Sequence, residues 1–176
     1  PQSIRYRGLP HLNRRRLAVT LAACFTNDND LRNHHAFPAE DPEQAMTALI
    51  IDGKQLAQKL REDWKPRADR LNSAGIAPGL AVIMVGENAA SRIYVRNKIK
   101  ACRELGIRSE EHLLAGDSAQ DIVLALIDRL NADASVHGIL VQLPLPAQLA
   151  PPVVIERISP DKDVDGLHPR NLGSLM

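Results

Sequence analysis

Leu80-Ala81-Val82-Ile83-Met84-Val85-Gly86, followed after three residues by Ala90-Ser91-Arg92-Ile93-Tyr94-Val95-Arg96-Asn97-Lys98, is the stretch that decides the fold. Six consecutive apolar residues, 80–85, suit a strand covered on both faces. Gly86 opens a short loop, and a helix follows. Ser91, Tyr94 and Lys98 stand at i, i+3 and i+7, offsets that fall within an arc of about 60° on one helix face. Open α/β folds build sites from a strand, a glycine-bearing turn and a helix with polar first turns, because ligands collect at the carboxyl ends of the strands. Taken alone, the run reads equally well as an ordinary solvated helix face.

Two later segments tip that balance. In Gly138-Ile139-Leu140-Val141-Gln142-Leu143-Pro144-Leu145-Pro146, a buried apolar strand is interrupted by one amide. A buried amide must find hydrogen-bond partners or cost free energy. Pro144 and Pro146 stop the ladder, so Gln142 falls at the strand's end, beside any ligand crevice. In Pro160-Asp161-Lys162-Asp163-Val164-Asp165-Gly166, three carboxylates crowd into a turn. The usual reading of such a cluster is a solvated acidic loop.

The pattern between these landmarks predicts strands alternating with helices. Residues 52–72 read as a long first helix, with Leu56, Ala57, Leu60, Trp64, Ala68 and Leu71 on its apolar side. Asp52 is its expected N-cap, and Pro66 predicts a kink or a break. Residues 91–105 form the polar-faced helix, with Gly106 placed as its C-cap. A second strand is expected over 109–115 and a third over 136–143. Ser118-Ala119-Gln120-Asp121 suggests a capping box with Asp in place of Glu. The helix behind it, 119–131, shows Ile122, Leu126, Ile127 and Leu130 on one side. A short helix over 153–158 follows Pro151-Pro152. This alternation implies an α/β fold, an open, mostly parallel sheet with helices on both faces.

A chain of 176 residues is one domain, with room for a tail. Its 44% apolar content is enough for a core, and with 3% aromatics aliphatic side chains must fill it. A net charge of +1 makes no case for nucleic-acid or membrane binding. Residues 1–27 nevertheless carry five arginines and no acid, +5, while the remaining 17 basic residues face all 21 acids, −4. Cys24 and Cys102 form no Cys-x-x-Cys pair, and six scattered histidines, His34-His35 among them, show no metal-ligand spacing. Cys102 reads as a small core residue, and a reducing, cytoplasmic compartment fits. No apolar run approaches the ~18 residues of a membrane span.

The sequence opens on Pro1. Arg14-Arg15-Arg16 ahead of an apolar stretch allows a signal peptide, and the acid-free residues 1–27 allow an organellar presequence. The preferred reading is that Met46 is the true start, leaving 1–45 as a disordered or non-native extension.

Together the motifs resemble one family, the bifunctional methylenetetrahydrofolate dehydrogenase/methenyltetrahydrofolate cyclohydrolases. The matching pieces stand in family order: Ile51-Asp52-Gly53-Lys54, Pro78-Gly79-Leu80-Ala81-Val82, Val85-Gly86, Ala90-Ser91 through Tyr94-Val95 to Lys98, and Lys100-Ala101-Cys102. Gly138 to Pro146, Lys162-Asp163-Val164-Asp165-Gly166 and His168-Pro169 complete them. The resemblance covers residues 46–176 and implies the family's catalytic domain. Ala89 departs from it, since the family usually has Pro before the Ala-Ser pair; the change alters loop stiffness and removes no functional group.

The resemblance implies oxidation of 5,10-methylenetetrahydrofolate with NADP, then hydrolysis of the methenyl product to 10-formyltetrahydrofolate. Both steps involve a cationic amidine-like carbon, so one pocket can serve both. Lys98 is the expected catalytic residue, since an amine taken out of water loses basicity. Gln142 is expected to orient it. Tyr94, one turn earlier, is expected to stack on the folate and offer its hydroxyl. Asp165 is expected to accept from the pterin's amino-pyrimidine edge. Ser91, the expected N-cap of its helix, is also a substrate-contact candidate. Lys54 is expected to serve the first helix, and Asp163 and Lys162 to form the turn or pair with each other. His168 matches the family and receives no role.

The resemblance also implies a homodimer and a further, Rossmann-like domain for NADP. No strand followed by a Gly-rich phosphate turn occurs in this chain, so the reading is a truncated catalytic domain without a cofactor site of its own. The competing readings are a non-catalytic folate-binding or assembly module, and a related amino-acid-dehydrogenase-like domain. The joint presence of Tyr94, Lys98, Gln142 and Asp165 argues against the last.

Overall fold

A computed structural model describes residues 52–175. The readings of residues 1–45, of Met46 as a start, and of Ile51 and Cys24 lie outside the described residues. In chain order the elements are α1 (Gly53–Ser73), β1 (Gly79–Val85), α2 (Ala89–Leu105), β2 (Arg108–Leu114), α3 (Gln120–Ala132), β3 (Gly138–Val141), α4 (Pro151–Arg157) and α5 (Pro169–Gly173). The three strands form a parallel sheet in the order β2-β1-β3.

β1 is the middle strand, and every residue of it is buried. Its side chains divide by the period of two. Leu80, Val82 and Met84 meet Val95 and Cys102 of α2, with Leu140 and Val164. Ala81, Ile83 and Val85 face the other way, onto Val123, Leu126, Ile127 and Leu130 of α3 and Val154 of α4. Helices therefore cover both faces, which is why β1 tolerates no polar residue. The α/β architecture expected from the alternation is the one observed.

Local differences from the expected pattern each have a physical reason. Asp52 caps α1, accepting from the Lys54 and Gln55 N–H groups at 2.9 and 3.1 Å. The helix then runs unbroken through Pro66. Pro66 and Glu62 are both exposed, so the Glu62 carbonyl, deprived of its partner by the missing N–H, lies on the solvent side.

The expected capping box at Ser118 does not form. Ala119 is the N-cap residue, with no side-chain bond, and Gln120 instead accepts from the Ala150 N–H at 2.9 Å, tying α3 to α4. Ile122 is 55% exposed and Val123 is buried in its place. The buried line is 123, 126, 127 and 130, one step round the helix, because β2 is an edge strand and leaves the rim over it uncovered. β3 is shorter than expected, four residues, and ends before Gln142.

Candidate functional site

The loops after β1, β2 and β3 converge at the carboxyl edge of the sheet. Gly86 has φ +82° and donates its N–H to Leu114 O at 2.9 Å. A Cβ there would lie 3.4 Å from Gly116 Cα, so the first two loops pass almost backbone to backbone, an approach that favours glycine. α2 starts three residues beyond Gly86, capped by Asn88, whose Oδ1 accepts from the Ser91 N–H at 3.0 Å. Gly106, left-handed at φ +73°, ends it as expected.

Ser91 is therefore not the N-cap of its helix. It lies inside the first turn, 4% exposed, on the buried line with Val95 and Cys102. Burying that line leaves Tyr94 and Lys98 on the neighbouring arc, from which Lys98 reaches Gln142 at the end of β3. Both are half-buried, and Tyr94 stands one turn before Lys98.

The amide meets the amine at the strand's end. Gln142 extends the ladder by one bond, its N–H donating to Ile83 O at 2.8 Å. Its side-chain Nε2 donates to Leu143 O at 2.7 Å. That contact commits the amide nitrogen and leaves Oε1 facing Lys98, which donates its Nζ at 3.3 Å. A cis Leu143–Pro144 bond follows.

Asp165 completes the group. Removal from water lowers the Lys98 amine below the ordinary lysine value, and the Asp165 charge acts in the opposite direction. Crowding by protein raises the Asp165 carboxyl; Lys98 lowers it, and Asp163 raises it again. Asp165 as a residue remains open to solvent, so the protein crowds this carboxyl without sealing it. The structure thus brings together Lys98, Gln142 and Asp165, with Tyr94 on the same helix. An amine with reduced basicity, a carbonyl that orients it and a carboxylate that senses it can hold a flat polar ligand and move a proton.

The remaining sequence candidates hold the frame. Lys54 lies in the first turn of α1. His168 caps α5, its Nδ1 accepting from the Arg170 N–H at 3.1 Å. Lys162 donates its Nζ to the carbonyls of Leu130, Asn131 and Asp133 at 2.8, 2.9 and 2.7 Å, closing the end of α3. Asp163 is buried in the turn. Asn88 was legible, since Asn is among the strongest N-cap formers; the partners of Lys162, about 30 residues away, had no sequence signal. Among the described residues no group of three or more His, Cys, Asp or Glu side chains is placed to hold a metal. No described helix is long and apolar enough to cross a membrane.

The fold and site define a class: an open α/β catalytic domain with a lysine–glutamine pair at the carboxyl edge of its sheet. Residues 51–165 match the family model of the tetrahydrofolate dehydrogenase/cyclohydrolase catalytic domain. The chain belongs to that family. It is 52% identical over 131 residues to the bifunctional protein FolD of Halalkalibacterium halodurans, covering 74% of this chain and 47% of that protein. It is 53% identical over 131 residues to the FolD of Bordetella avium, covering 74% and 46%. Among solved structures, the bifunctional FolD methylenetetrahydrofolate dehydrogenase/cyclohydrolase of Campylobacter jejuni matches with a TM-score of 0.69 and 51% identity, over 70% of this chain and 44% of that one. The Trypanosoma brucei enzyme, solved with NADP cofactor and an inhibitor, matches with a TM-score of 0.70 and 34% identity, over 73% and 44%. The chain spans about half the length of the curated relatives it matches.

Proposed function

We propose that this chain carries the folate site of a bifunctional methylenetetrahydrofolate dehydrogenase and methenyltetrahydrofolate cyclohydrolase. The Lys98–Gln142 contact, with Asp165 acting on the same amine, is the observation that carries the reading. In the hydrolytic step Lys98, its basicity lowered by desolvation, takes a proton from water as the oxygen bonds to the methenyl carbon. The adduct then loses its hydroxyl proton as the carbon–N5 bond breaks. N5 takes a proton from the Lys98 ammonium, one proton leaves to solvent, and 10-formyltetrahydrofolate results. Gln142 keeps the amine aimed, Tyr94 stacks on the ligand, and Asp165 accepts from its amino-pyrimidine edge. Ser91, buried at the start of the same helix, is the remaining substrate-contact assignment.

The dehydrogenase step uses NADP as hydride acceptor. The described residues do not fit a dinucleotide: no strand leads into a Gly-rich phosphate turn, and the turn after β1 carries Glu87, whose charge opposes a pyrophosphate. Hydride transfer is therefore assigned no residue of this chain. The same reading brings a second copy of the chain as partner. It is supported by β2, which pairs only with β1 among the described residues, by the exposed Leu113 on that strand and by the exposed Ile122 of α3. A cytoplasmic setting completes the proposal.

The test is the decay of methenyltetrahydrofolate absorbance with the purified chain and no nucleotide, beside Lys98→Ala. Acceleration over the spontaneous rate, lost in the variant, supports the reading. No acceleration by a chain with a folded circular-dichroism spectrum would replace it with a non-catalytic folate-binding module.

A further inference from the structure

Two of the three carboxylates in the acidic turn, Asp163 and Asp165, stand in opposite circumstances, and this difference carries an inference that rests on the folate reading above. Asp165 is open to solvent, whereas Asp163 is 4% exposed. A buried carboxylate needs donors, and Asp163 has three. Its Oδ1 accepts from the Gly166 N–H at 3.1 Å. Its Oδ2 accepts from the His168 N–H at 2.9 Å and from Asn171 Nδ2 at 2.9 Å. Two of these donors lie just past Asp165, and Gly166 takes φ +69° to make the turn.

The chain before Asp165 is held as firmly. Ile139 N–H donates to Lys162 O at 2.7 Å, and Val164 N–H to Ile139 O at 3.4 Å, which fastens the turn to β3. Val164 is buried against Val95 and Cys102 of α2. Asn171 adds an outer tie, its Nδ2 also donating to Pro160 O at 2.9 Å.

We infer that Asp163, with Asn171 behind it, is a positioning residue: its buried carboxylate closes the turn that presents Asp165 to the ligand and to Lys98. A solvated acidic loop would leave both carboxylates in water. Here Asp163 is taken up by two backbone N–H groups and the Asn171 amide, so that Asp165 has a fixed place.

Asp163→Asn keeps the size and removes the fit, because an amide offers one oxygen where two receive N–H groups, and its NH2 then faces donors. It also removes the negative charge that raises the Asp165 carboxyl. The charged groups acting on Asp165 are Lys98 of α2 and Asp163 of its own turn. Asn171→Ala removes the outer tie and keeps the charge.

The experiment compares the full chain with both variants in three readouts: KM and kcat for methenyltetrahydrofolate hydrolysis without nucleotide, carbon-13 NMR titration of the Asp165 carboxyl without ligand, and thermal unfolding. Both variants are expected to raise KM about fivefold or more with kcat within about twofold, the signature of a misplaced binding contact. Asp163→Asn is also expected to titrate Asp165 at lower pH, because the Asp163 charge that raises it is gone. A folded Asp163→Asn protein with unchanged KM and unchanged Asp165 titration, differing only in melting temperature, overturns the inference. If Asp163→Asn does not fold, an unchanged KM in Asn171→Ala overturns it equally. If the unaltered chain does not turn over methenyltetrahydrofolate, the folate reading has failed, and the Asp165 titration alone decides whether Asp163 acts on Asp165.

Discussion

Lys98 and Asp165 reach one site from two kinds of support. Lys98 rides on α2, a seventeen-residue helix whose Val95 and Cys102 are buried against the middle strand. Asp165 rides on a turn without regular structure, held by the buried Asp163, by one bridge to β3 and by the apolar seat of Val164. The helix fixes its residue by periodicity, so a functional side chain needs only the right offset from an apolar stripe. The turn fixes its residue through individual hydrogen bonds, each of which must be made. The two supports meet in one cluster, where Leu140 of β3 lies among Val95, Cys102 and Val164.

The largest expected effect breaks the chemistry and leaves both supports standing. Lys98→Ala should lower kcat for hydrolysis about 10²- to 10⁴-fold, the range for a proton-transfer group, with the circular-dichroism spectrum unchanged. Next is the cluster the two supports share. Leu140→Ala should cost about 2–5 kcal/mol of stability by urea unfolding, since Leu140 is fully buried. If helix and turn are independent, the loss should instead fall at the low end and leave turnover intact. The smallest effect concerns the helix alone. Asn88→Ala removes the cap of α2 and should cost about 0.5–2 kcal/mol, while the Asp165 titration stays where it was.

The same contrast explains how much could be read in the sequence. α2, β1 and the alternation that gives a parallel sheet follow from the apolar pattern, and Gly106 announces its own cap. Gln142 announced itself as a polar residue at the end of an apolar strand. The errors came where a local rule met tertiary structure. Pro66 sits in a helix that continues because the freed carbonyl lies toward solvent. Ser118 had the spacing of a capping box, but Gln120 is drawn to Ala150 across the fold. Ile122 and Val123 exchanged places because the sheet has an edge over that side of α3. Ser91 lost the cap to Asn88 and went into the core. The burial of Asp163 beside an open Asp165 depends on Asn171 and on β3, so no local pattern separates the two carboxylates.

Lys98 is a desolvated amine whose basicity is set jointly by the helix and the turn. The direct test is NMR titration of the Lys98 side chain in the unaltered chain and in Asp165→Asn. Burial lowers this amine, and the Asp165 carboxylate raises it. Lys98 should therefore titrate below an ordinary lysine, and lower still when the carboxylate is removed. Titration at the ordinary value, or no response to Asp165→Asn, would mean that helix and turn do not act together on this amine.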